Sequence, residues 1–364
     1  MTLARELADT AGRPQVDKNL LINGGMNVWQ RGTNVTGISS TSTDGFLTTD
    51  RWETFCGGAI GTYTQSQSTD VPSGQGFGYS LKMDCTTAQA SITAPATAVQ
   101  IFQHIEAQNL QHLLFGTSSA KSITLSFWVK SNKTGTYIIN LIKNDGGSRM
   151  ISKAYTIDSA STWEKKTITL AGDETNAIAN DNGAGLSVYF YLAAGSLYTS
   201  GTLQTSWGSY VFNNIAPGQV NLSDSTSNEW YLTGCQLEIG ETATDFQFEP
   251  YEAIYRKCLR YNTRWTTTGG NFLALAAGTT NFNTSSWLEL SCVVPLRTKP
   301  TLTYSSLTHF DMEHFDKQPT SIQLTGPATE LKPSLNVGHS SQAVGSSALL
   351  IMDAAGYLNL DAEL

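Results

Sequence analysis

Between Ser122 and Lys130 the chain alternates with a period of two. Ile123, Leu125, Phe127 and Val129 fall on one side, and Thr124, Ser126, Trp128 and Lys130 on the other. That is the period of a pleated strand with one face in a core. The same signal returns along the chain. Leu186, Val188, Phe190 and Leu192 oppose Ser187, Tyr189 and Tyr191, and Trp163 to Leu170 alternates likewise. Thr136 to Lys143 and Met150 to Ile157 flank Asn144-Asp-Gly-Gly147, a turn of the kind short hairpins use. Glu229 to Ile239 is a last strong strand. Strands at this spacing, without helices between them, predict a sandwich or jelly roll.

Composition agrees. Charged residues make up 14% of the 364, beside 8 Trp, 14 Tyr and 14 Phe; an average soluble chain carries about 25% charge. So many aromatics exclude a disordered chain. A formal net charge of -8 argues against a nucleic-acid partner. Cys56, Cys85, Cys235, Cys258 and Cys292 are odd in number and have no C-x-x-C or Cys/His ligand spacing. They read as small buried apolar residues rather than a disulfide framework or a zinc site. No stretch approaches the roughly 18 apolar residues of a membrane span, and the N-terminus has no apolar run of the secretory type.

Four segments are expected. Residues 1–18 read as an attachment segment with a short helix over 2–11, Leu3 and Leu7 stacked at i, i+4; a frayed terminus is the alternative. Residues 19–250 read as the jelly roll. Residues 251–265 read as a helical connector, since Tyr251 to Tyr261 holds the best helical pattern and follows Pro250. Residues 266–364 read as a second, smaller β domain, with strands at Trp287–Val294, Thr301–Tyr304, Ser321–Thr325, Ser347–Met352 and Tyr357–Asp361. The expected class is all-β.

Two segments open a further reading: Asn19-Leu-Leu-Ile-Asn-Gly-Gly-Met-Asn-Val-Trp-Gln-Arg-Gly32 and Thr49-Asp-Arg-Trp52. They are followed in order by Gln103-His-Ile-Glu-Ala-Gln-Asn-Leu110, Thr124 to Lys130, Trp163-Glu-Lys-Lys-Thr167, Trp230 to Gly240, Phe248-Glu-Pro-Tyr251 and Cys258-Leu-Arg-Tyr261, and by the closing Gly356 to Leu364. This series resembles a family of phage virion structural proteins, the tail-fibre, tail-tip and head-fibre subunits, whose central region is similar to jelly-roll carbohydrate-binding modules. Ala107 departs from the glycine usual there. The resemblance implies a non-enzymatic fibre or tail-tip subunit, assembled in the host cytoplasm and located in the virion. It also implies a homotrimer joined to other virion proteins through its N-terminal segment, and attachment to host surface polysaccharide. The rival reading is a glycan-degrading tail enzyme, or a carbohydrate-binding module of a secreted hydrolase.

The residues themselves suggest where a glycan would sit. Sugars stack their C–H faces on aromatic rings, and amides complete the hydrogen bonds. Trp128, Tyr189 and Tyr191 lie on the non-aliphatic sides of their strands. If those strands share a sheet, the three rings line one surface with Gln103 nearby. The alternative is that they pack under a loop or a neighbouring subunit. By the resemblance, Gln100 and Gln103 lie on a stretch crossing the concave sheet. No nucleophile elbow, phosphate loop or His-Glu-x-x-His motif occurs, and no catalytic residue or cofactor is assigned. His309, Asp311, Glu313, His314 and Asp316 form the densest titratable cluster and read as a polar loop or strand edge, so no metal is assigned. Arg31, Asp50 and Arg51 read as a buried ion pair tying the N-terminal strand to the sandwich. Trp29 and Trp52 are core candidates.

Overall fold

A computed structural model describes residues 18–39, 43–268, 272–313, 318–325, 332–352 and 355–364. The helix expected over 2–11 lies outside the described residues, as do His314 and Asp316. The chain forms two compact units. Thr33–Thr48 and Trp52–Glu249 belong to the first, with residues 18–27; Val28–Gly32, Thr49–Arg51 and Pro250–Leu364 form the second.

The first unit is a jelly-roll β-sandwich. Its strands are β1 (Asn34–Ile38), β2 (Glu53–Gly57), β3 (Thr62–Ser68), β4 (Ser80–Thr87), β5 (Ala98–Glu106), β6 (Ile123–Ser131), β7 (Gly135–Lys143), β8 (Arg149–Ile157), β9 (Glu164–Leu170), β10 (Ala184–Ala194), β11 (Gly208–Ser209) and β12 (Glu229–Ile239). Two six-stranded antiparallel sheets result, ordered β1-β3-β4-β12-β6-β9 and β11-β8-β7-β10-β5-β2. The alternation decides which side chains enter the core. Phe127 of the first sheet meets Phe190 of the second edge-on at 5.1 Å, and Trp52 and Trp230 reach the same Phe190 ring at 6.2 and 6.1 Å. All four are fully buried, each worth roughly 1.5–3 kcal/mol by area. Trp29, the other core candidate, is only partly buried.

Three of the motif segments meet inside this unit. β12 bulges between Thr233 and Gln236, which leaves backbone groups without ladder partners. The N-terminal segment takes them. Gly24 O accepts from Cys235 N at 2.9 Å, and Asn19 Nδ2 donates to Cys235 O at 2.9 Å. The approach demands glycine, since a Cβ on Gly24 would sit 2.0 Å from Cys235 O. Gln103 clasps the same segment. Its Oε1 accepts from Ile22 N at 2.7 Å, and its Nε2 donates to Ile22 O at 2.9 Å.

In the second unit the chain forms β13 (Asn262–Thr267), β14 (Leu273–Phe282), β15 (Ser285–Glu289), β16 (Thr301–Tyr304), β17 (Phe310–Glu313), β18 (Ser321–Thr325), β19 (Ser334–Gly338), β20 (Ser347–Met352) and β21 (Gly356–Asp361). These build sheets ordered β13-β21-β16 and β17-β20-β14-β15-β19-β18, around Leu288, Phe310, Leu335, Leu350, Leu358 and their neighbours. The helix Tyr251–Leu259 groups with this unit. β15 ends at Glu289, five residues short of the strand expected to reach Val294. The five cysteines are free and buried.

The Arg–Asp pair exists, but it belongs to the second unit and not to the sandwich. Arg31 Nη1 lies 3.9 Å from Asp50, and Arg31 Nη2 lies 3.0 Å from Asp361 and 3.4 Å from Glu363. Arg51 pairs with Glu363 and stacks on Tyr261, with Cζ 3.4 Å from the ring centroid. The reason lies in the other end of the sequence. Asp361 and Glu363 supply the carboxylates that buried guanidinium groups require.

Candidate functional site

The second sheet of the sandwich turns a row of rings away from the core. Along β10 the residues opposite Val188 and Phe190 are Ser187, Tyr189 and Tyr191, and register aligns Tyr189 with Phe102 and Tyr191 with Gln100 on β5. β2 continues both rows, with Glu53 beside Phe102 and Phe55 beside Gln100. Tyr189 and Phe102 stack at 4.5 Å with planes 20° apart.

The segment after β10 folds back over part of this face. Asn140 Nδ2 donates to Ile215 O at 2.9 Å, and Ile215 and Ala216 pack with Ile138, Ile142 and Tyr191. The cover stops short of β2. It leaves a depression of about 200 Å3, lined by Phe55, Gln100, Phe102 and Tyr189 on the sheet and by Tyr198 and Tyr210 from the covering segment.

Two properties define its chemistry. Its lining holds no charged side chain. Burial pushes the Tyr210 phenol up to about 12 and holds those of Tyr189, Tyr191 and Tyr198 above their ordinary value, so all four stay neutral hydrogen-bonding groups across the physiological range. The second property is an unused amide. Gln100 is only 8% exposed, and its side chain makes no hydrogen bond with any described residue. Its amide lines the open depression, so its donor and acceptor are available to whatever polar group occupies it. Beside it, Glu53 Oε2 stands 3.9 Å from His104 Nε2, and Ser187 Oγ 2.6 Å from His104 Nδ1.

Of the residues singled out from sequence, the structure brings together Tyr189, Tyr191 and Gln100. Both tyrosines line the depression, Tyr191 at its covered side with 2% exposure. Gln103 does not join them. It sits one step along β5 from Phe102, pairs with Val188 and faces inward, its amide spent on Ile22. Trp128 is on β6, in the other sheet, pointing out from the opposite side of the sandwich. The three rings therefore do not share a surface.

Sequence reasoning missed Phe55, Phe102, Tyr198 and Tyr210. The period of β5 contains the signal for one of them: Gln100, Phe102 and His104 alternate with Val99, Ile101 and Gln103. Tyr198, in the short helix Ser196–Thr199, and Tyr210, just after β11, carry no periodic signal. In the titratable cluster, His309 Nδ1 is 2.8 Å from Ser305 Oγ.

No family model and no curated protein matches this chain. Among solved structures, it is similar to the enzymatically active domain of tailspike protein 4 of bacteriophage CBA120 (13% identity, TM-score 0.33), over 61% of this chain and 22% of that one. It is also similar to a family 11 carbohydrate-binding module from Clostridium thermocellum (12% identity, TM-score 0.28; 57% and 97% of the chains). The N-terminal cellulose-binding domain of Cellulomonas fimi β-1,4-glucanase C gives 9% identity and a TM-score of 0.28, over 59% and 97%.

Proposed function

We propose that this chain is a non-enzymatic phage virion structural protein, a fibre or tail-tip subunit, which contributes to attachment by binding a host surface glycan in the aromatic depression. The observation that carries the binding reading is Gln100, an unpartnered and nearly buried amide among stacked and tilted rings. Ring faces take the C–H surface of a pyranose, and the amide offers it both a donor and an acceptor. A lining without carboxylates favours binding over the paired acid and base of a glycosidase. The virion reading rests on the motif series. Three of its pieces, at Asn19 to Gly24, at Gln103 and at Cys235, are joined by the clasp, which supports that reading. Partners on this reading are two further copies of the chain, other virion proteins held by residues 1–18, and host polysaccharide.

The test is an array of bacterial surface polysaccharides probed with the purified full chain. Retention without new reducing ends is expected, with a loss of at least tenfold for Gln100→Leu at unchanged melting temperature. Equal retention by Gln100→Leu refutes the site. Release of reducing ends would make the chain a glycan-degrading enzyme.

A further inference from the structure

Trp128, displaced from the depression, lines a cleft of its own. On the outer face of the first sheet it stands beside Thr233 of β12 and Lys165 of β9. Across from it three phenylalanines form a closed trio. Phe77, Phe246 and Phe248 hold their ring centroids 5.0 to 5.2 Å apart. Phe77 is nearly buried, while Phe248 is 55% exposed. The floor between Trp128 and the trio is Gly234, with φ +63. A Cβ there would lie 2.6 Å from Phe77 Cζ and 3.0 Å from Trp128 Cδ1. Glycine keeps the bottom of a cleft of about 290 Å3 open, close to the lower limit for small-molecule sites.

The polar groups of this cleft are unspent. Ser126 lines it, is 3% exposed, and its hydroxyl makes no hydrogen bond with any described residue. At the rim, Lys165 and Asp245 form no ion pair with a described residue. Elsewhere on the same face, cations are committed: Lys130 to Asp70 and Lys82 to Glu229. The cleft therefore offers two ring surfaces, one unpartnered hydroxyl, one cationic donor and one anionic acceptor.

We infer that the outer face of the first sheet carries a second glycan site, taking one neutral pyranose between Trp128 and Phe248. This rests on the glycan reading above and deepens it. Asp245 is placed to accept from a pair of sugar hydroxyls, Lys165 to donate to a ring or glycosidic oxygen, and Ser126 to meet the group that reaches the floor. A single rim cation balanced by a carboxylate suits a neutral sugar better than a polyanionic one. Since the depression at Gln100 opens on the other sheet, one sandwich would engage two glycan strands. Each contact is weak alone and gains by avidity on a polymer.

The experiment is fluorine NMR of the full chain labelled with 5-fluorotryptophan, the Trp128 resonance being assigned by Trp128→Phe. The probes are the methyl glycosides of glucose, galactose and N-acetylglucosamine. At least one is expected to move the Trp128 resonance saturably at millimolar concentration. The affinity should fall about tenfold in Phe248→Ala and severalfold in Ser126→Ala, and should be unchanged in Gln100→Leu. A folded protein whose Trp128 resonance none of the three moves overturns the inference. So does a response that survives Phe248→Ala intact or vanishes in Gln100→Leu. If Trp128 stays silent while Gln100→Leu still abolishes retention on polysaccharide, the second site falls and the first stands. If Trp128 responds and Gln100→Leu leaves retention unchanged, the first site falls and the second stands.

Discussion

Glu363 is the residue on which the charge balance of the second unit turns. Its side chain is 4% exposed and pairs with both Arg31 and Arg51, whose side chains are 7% and 1% exposed. Burial alone would pull both guanidinium groups down. Glu363 leads the carboxylates that outweigh this and hold them above their ordinary value. Glu363→Ala removes the carboxylate facing Arg51 Nη1. Breaking a buried pair from one side costs about 3–5 kcal/mol, and full burial leaves little reason to discount that. Glu363→Gln should cost less, because the amide oxygen still accepts from Arg51. A third variant isolates the cause. Arg51→Met with Glu363→Leu removes both charges and should recover most of the loss, since apolar replacement of a whole buried pair is often neutral. With two units, one melting curve mixes two transitions. The suitable assay is therefore amide hydrogen exchange at Ala362, whose N–H donates to Tyr261 O at 2.7 Å. The expected loss corresponds to exchange faster by roughly a hundredfold or more. An increase below about fivefold in Glu363→Ala would show that the network contributes little, and would refute the reasoning.

Gly24→Ala should destabilise the sandwich by about 1–3 kcal/mol, because a Cβ lying 2.0 Å from Cys235 O forces the clasp off β12; denaturant unfolding of the full chain checks this, and an unchanged midpoint counts against the clasp. Acid should weaken the first unit through Asp173, paired with Lys143 at 2.7 Å and Arg149 at 2.8 Å. Burial tends to raise its carboxyl, but hydrogen bonds from Arg149 and Lys143 outweigh that and hold it below the usual range. The unfolded chain then takes up this proton first, so the contribution is complete above about pH 5 and is lost progressively as pH falls towards the lowered folded value. Melting temperatures at descending pH should drop less in Asp173→Asn than in the parent, and parallel curves would contradict the assignment.

The sandwich was legible wherever one face of a strand is dry. β12 spans Glu229–Ile239, as its sequence implies, and β6, β7, β8 and β10 differ from their expected ends by one or two residues. β14 was not legible. Leu273-Ala-Leu-Ala-Ala-Gly-Thr-Thr-Asn-Phe282 is rich in Ala and Gly, residues depleted in strands, yet it lies mid-sheet between β20 and β15. Pairing on both sides there overrides propensity. The candidate site was half legible for a different reason. Alternation tells which side of a strand a residue faces, and so it places Tyr189 and Tyr191 outward correctly. It does not tell which sheet a strand joins, and so it groups Trp128 with rings that Trp128 never meets. The resemblance named both Gln100 and Gln103 on the stretch crossing the sheet, and the parity of β5 decides between them: Gln100 faces out with Phe102, and Gln103 faces in. The ion network was legible as chemistry but not as location, because Arg31 and Glu363 are joined only by the fold.

The position of β12 also sets an order of events during synthesis. It is the last strand of the sandwich to be made, yet it lies between β4 and β6 at the middle of its sheet. Until residue 239 has left the ribosome that sheet cannot be completed, because β12 is the strand that joins β1-β3-β4 to β6-β9, and any of those strands already paired would present an open hydrogen-bonding edge. The docking partner of Asn19 and Gly24 is missing for the same interval. Contacts spanning more than two hundred residues make closure slow, and nascent chains crowded on one message hold matching edges exposed at once. Strand insertion at the centre of the sheet therefore makes the chain dependent on being kept apart from its own copies until its twelfth strand arrives.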